Sequence, residues 1–218
     1  APRDPKMLRS LVEPVRELRA LAPSDLRVRA TALELQQARG ELADGEALTS
    51  AAAGFIGDLR RRLATVKRTE GENLLGGLAF HTLQNLSDTA RRRGDRDESL
   101  WKAIQTLDGW SLELRPDQTD IRLRMATQQL WSGDVKATVS LLDHSSIKPG
   151  RLPAHLRLAR LLHRGETARA RRLLETATNN RELDRDSIRR CLILLLRAEG
   201  RADPEGEAAR MLERRRGS

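Results

Sequence analysis

Apolar residues recur every three or four positions along nearly the whole chain, and alternating runs are absent. That period belongs to helices with one buried stripe. Glycine, proline and Ser/Asp breakers divide the pattern into about eleven segments. The first spans about 4–21, with a kink or late start at Pro14, and ends at "LAPSD". The second carries Leu26, Leu33 and Leu35 and stops near Gly40; the third runs over about 47–68. Within the third, the Ala/Gly-rich piece 51–57 is expected to pack closely on a neighbour, because small residues let backbones approach. The fourth covers about 73–93 and ends at Gly94, and Asp95 or Asp97 caps a fifth that reaches about 114. After Pro116 the sixth extends to Trp131, Gly133 ends it, and Asp134 caps the seventh. "HSSIKPGRLP" is a loop. The eighth and ninth flank Gly165, the tenth covers 186–198, and Asp203 with Pro204 opens the eleventh.

Composition agrees with an all-α fold. Tyr is absent, Phe occurs twice and Trp three times, while Leu, Ala, Arg and Glu dominate. A sheet protein needs β-branched and aromatic residues that this chain lacks. At 218 residues the core is large enough to dispense with disulfides, and the single Cys191 permits none within the chain. No run approaches a membrane span, and "APRDPKMLRS" has no apolar leader. Of 40 basic side chains only five are Lys. Such a bias fits a GC-rich bacterial genome and, with no leader, a cytoplasmic protein. The net charge of +9 is local: residues 151–218 hold 17 basic and 10 acidic side chains.

Short turns between helices make antiparallel neighbours, and internal repetition separates a solenoid from a bundle. Three pieces match when aligned on glycine. They are "GDRDESLWKAIQT" from Gly94, "GDVKATVSLLDHS" from Gly133 and "GETARARRLLETA" from Gly165. Each reads Gly, an acid, and a small residue five on (Ser99, Thr138, Ala170). An apolar residue follows nine on (Ala103, Leu142, Leu174), and a small one twelve on (Thr106, Ser145, Ala177). Gly closes one helix, the acid caps the next, and the small residues form the face where the partner helix comes close.

The pattern resembles the tetratricopeptide repeat, a helix-turn-helix of about 34 residues. Leu83, Leu86, Ser87 and Ala90 stand at that family's signature positions, and Pro116 and Pro149 at its repeat ends. The glycine spacings, 39 and 32, depart from a constant repeat, and the signature aromatics are mostly missing. The likeness is best over 72–178. The resemblance implies a right-handed solenoid of antiparallel helix hairpins over 1–218, as one helical-repeat domain. In it, 1–21 is a half-repeat or a capping helix, and 179–216 a divergent last hairpin.

The resemblance also implies a concave groove lined by the first helix of each pair. Its positions fall on His81, Gln84, Asp88 and Arg91; on Asp120, Leu123, Thr127 and Trp131; and on His155, Ala159 and His163. Asn85 occupies one position of the carboxylate clamp found in some members, without the clamp's partners, so a chaperone-tail receptor is not expected. Trp131 reads as either a groove residue or a filler between repeats. Trp101 and Trp110, nine apart, are expected on roughly the same side of the fifth helix.

Catalytic chemistry has no foothold in the pattern. His81, His144, His155 and His163 lack metal-ligand spacing, and no phosphate loop or nucleophile elbow is present. Cys191, inside "CLILLL", reads as core. The expectation is a non-enzymatic scaffold without cofactor or metal, binding a peptide or helix of another protein. Two alternatives stand beside it. One is RNA binding through the basic C-terminal third, with Arg169, Arg172, Arg189 and Arg190 as the patch; against it, stacking aromatics are scarce. The other is a docking or regulatory segment of a larger enzyme.

Overall fold

The computed structural model describes residues 10–22, 25–65, 71–92 and 98–214. Among them lie eleven α-helices and no strand. They are α1 (Val12–Leu21), α2 (Leu26–Arg39), α3 (Gly45–Thr65), α4 (Gly71–Arg92), α5 (Glu98–Leu114) and α6 (Thr119–Trp131). There follow α7 (Val135–Leu142), α8 (Ala154–His163), α9 (Thr167–Asn179), α10 (Arg185–Ala198) and α11 (Pro204–Arg214). A short 3-10 turn, Pro149–Arg151, interrupts the loop before α8. The expected boundaries at Gly94, Asp95, Asp97 and Pro23 lie outside the described residues.

The chain divides into two compact units, residues 1–117 and 118–218. In the first, α2 packs on α4 and α3 on α5, besides the sequence neighbours. Leu48, Phe55 and Leu59 of α3, Leu83 and Leu86 of α4, and Leu100, Ile104 and Leu107 of α5 form its core. Each such side chain, fully buried, contributes about 1.5–3 kcal/mol. Val15 of α1 packs with Ala32 and Leu35 of α2. In the second unit every helix packs on the next, and α8 also touches both α6 and α10. One cluster joins Ala126, Leu130, Leu142, Leu156 and Leu194. Another joins Leu158, Ala170, Leu174, Cys191 and Leu195, and Trp131 lies against both.

The glycine-led pieces differ in local geometry. Gly165 adopts φ +73° and Gly133 φ +94°, the left-handed region where a Cβ is penalised. At Gly165 the amide of Glu166 bonds Leu161 O (2.9 Å) and that of Gly165 bonds Leu162 O (3.0 Å), closing α8 in a Schellman turn. Asp134 caps α7 through the Ala137 amide (2.8 Å). Glu166 stands at the N-cap of α9 but makes no side-chain cap. Its longer side chain reaches Arg169 Nη1 instead (2.6 Å). The residues nine past glycine, Ala103, Leu142 and Leu174, are all buried. Thr138, Ala170 and Ala177 are buried too, whereas Ser99 and Ser145 are exposed. Ser145 follows the end of α7, so no helical face governs it.

Two expectations are corrected. Trp110 packs against the first core, but Trp101 is 42% exposed. Nine residues are two and a half helical turns, which puts the two indoles on opposite sides. In α3, Ala52 is buried, yet Gly57 faces open space and only an arginine side-chain end comes near Gly54. The close approach lies earlier, at Gly45, where a Cβ would fall on the backbone carbonyl of Ser99.

Candidate functional site

On α4 the expected groove residues part company. His81 is exposed, its ring edge-on to Phe80. Gln84 turns to α5 and donates to Ser111 Oγ (2.9 Å). Arg91 also turns to α5 and pairs with Asp108, a carboxylate with no exposed surface. Ser87 donates to the other Asp108 oxygen (3.0 Å). Asp88 stays beside Arg91 at 4.0 Å, on the rim. Gln84 and Arg91 thus belong to a polar layer between two helices.

The second unit gathers more. Thr127 and Trp131 of α6 meet His155 of α8: His155 Nε2 lies 3.0 Å from Thr127 Oγ1, and its ring lies 5.3 Å from the indole, tilted by 32°. Arg190 of α10 places its guanidinium 5.7 Å from the same indole, within cation–π range. Asp186 holds Arg190 from one turn earlier (2.9 Å). Leu123 packs partly buried beneath. Three residues expected to line a groove and one arginine of the expected patch, 63 positions apart at the extremes, therefore form one cluster on α6, α8 and α10. The other residues expected to line the groove on α6 and α8 stand apart from it. Asp120 and His163 are exposed at the helix ends, and Ala159 is buried with no surface to offer.

Sequence reasoning missed Asp184. It caps α10 by accepting from the Ser187 amide (2.7 Å), and its charge acts on His155. The signal was present: an acid three residues before Ser187, ahead of an apolar stripe. Burial is the main influence on the His155 imidazole and pushes its pKa below the ordinary value, while Asp184 pulls weakly the other way. The Asp184 carboxyl is itself held low, first by its bond from the Ser187 backbone. Burial pushes the Cys191 thiol up to about 12, which keeps it protonated and unreactive.

Several arginines of the C-terminal third, in the expected phosphate patch and beside it, are engaged by acids. Arg169 pairs with Glu166, Arg171 with both oxygens of Glu199 (2.6 and 2.8 Å), Arg157 with Glu182 (2.7 Å) and Arg197 with Glu205. Arg172 and Arg189 are exposed. No group of three or more His, Cys, Asp or Glu among the described residues is placed to hold a metal. Between α9, α10 and α11 a cavity of about 40 Å³, lined by Leu174, Ile188, Leu192 and Met211, has room for little more than a water molecule. No described helix is long and apolar enough to cross a membrane. Comparison with family models, with curated proteins and with solved structures returns no match.

Proposed function

We propose that this chain is a non-catalytic protein-interaction scaffold, a right-handed solenoid of tetratricopeptide-like helix pairs whose first helices bind a partner segment. One observation carries the reading: Thr127, Trp131, His155 and Arg190 converge from α6, α8 and α10, which are alternate helices of the chain. The contacts of α8 with both α6 and α10 support stacking of successive pairs through those helices. A half-buried Trp beside an Arg is the composition of an interface hot spot, since both residue types give large contact area per side chain ordered.

The test is affinity capture with mass spectrometry, run with the intact chain and with W131A. A partner that W131A loses, and that survives nuclease and raised salt, fits the scaffold. Capture that nuclease abolishes, or that falls steeply with salt, sinks it in favour of phosphate contacts. The acid partners of Arg157, Arg169, Arg171 and Arg197 weigh against the phosphate alternative, because each has a carboxylate already in place.

A further inference from the structure

The hydroxyl of Thr127 has one proton, and it goes to the Leu123 carbonyl (2.8 Å). Toward His155 the same oxygen therefore accepts, so Nε2 carries the imidazole hydrogen and Nδ1 is bare. Any proton gained must arrive at Nδ1. The surroundings of the ring are unequal. From α6 it meets a hydroxyl and an indole, both neutral. From α10 the charged neighbour is Asp184, exposed at the helix start, while Arg190 reaches the indole and is tethered to Asp186. On α8 itself Arg157 is engaged with Glu182. Among the described residues no charge on α7 or α9 acts on the ring.

We propose that His155 is an acid-operated latch: a proton taken up at Nδ1 drives the imidazole off Trp131 toward Asp184 and water, and uncovers the indole. The cation is disfavoured where it forms, because the site is mostly buried and its hydrogen-bond partner is neutral. It is favoured outside, where a carboxylate waits. Arg190 already supplies one cation to the indole, so a second gains little there. The direction of the His155 shift agrees: the buried seat prefers the neutral ring. The latch stands whether or not the face binds a protein.

The full chain with W101F and W110F leaves Trp131 as the one emitter. Its fluorescence is followed from about pH 8 to about pH 5, across the range where histidine titrates. The expected result is a red shift with one midpoint below the ordinary histidine value. H155F should abolish it. D184N, which keeps the cap because Asn caps as well as Asp, should move the midpoint lower still. Emission flat through the range, or the same transition in H155F, overturns the latch. Should H155F fail to fold, magnetic resonance on the unsubstituted chain decides. The His155 ring and the Trp131 indole N–H must titrate with one midpoint, and separate midpoints overturn it.

Discussion

Ala170 has no exposed surface and lies in the cluster formed by α8, α9, α10 and α11. Replacing it with Leu adds three carbons where none fit, so A170L should lose about 1–3 kcal/mol in denaturant unfolding. A neutral result would place the packing face of α9 elsewhere. Gly45 makes a sharper case, since a side chain there meets backbone. G45A must push α3 from α5, and a comparable loss, about 1–3 kcal/mol, is expected from thermal melts. His155 gives a pH signature. Its folded pKa is lowered, so below the unfolded value, about 6.5, the unfolded chain binds more protons. The stability it contributes is therefore complete above about pH 6.5 and is lost as pH falls from there toward the folded value. Chemical denaturation across that range should show this slope in the unsubstituted chain and its absence in H155F.

Between elements, the bonding of Asp108 by both Arg91 and Ser87 shows what the sequence left hidden. Helices were legible because periodicity and breakers act locally: Gly133, Asp134, Gly165 and Pro204 each mark a boundary within two residues of the observed one. Nothing local in the sequence says which helix will cover Asp108, which is buried. The same gap explains Gln84 and Arg91, read as groove residues and found between α4 and α5. Part of the candidate cluster was legible in another sense. Thr127, Trp131 and His155 were grouped as groove candidates by the resemblance, whereas Asp184 was not singled out and Arg190, a patch candidate, joins them only through the packing of α10. The buried pair yields its own prediction. R91L strands the Asp108 charge and should cost about 3–5 kcal/mol, while R91L/D108L, which removes both charges, should cost much less. Equal losses in the single and double variants, measured by urea titration, would show that the pair is not coupled.

At the scale of the molecule, each unit has apolar clusters of its own: α2 to α5 enclose the main one of the first, and two lie among α6 to α11. A fragment of residues 118–218 should therefore unfold cooperatively by itself in circular dichroism; a featureless melt would show that it depends on the rest. Within that unit arginines recur at the joints. Arg160 reaches the last carbonyl of α7 at Leu142 (2.7 Å), Arg171 of α9 grips Glu199 at the end of α10, and Arg197 ties α10 to Glu205 of α11. Each spans two helices that the chain joins only through a turn or loop. In mechanical terms they are struts, and their material is electrostatic. Dissolved ions weaken such struts while leaving the apolar contacts intact. The unit should thus soften as ionic strength rises without unfolding, a spring whose constant is set by the salt around it.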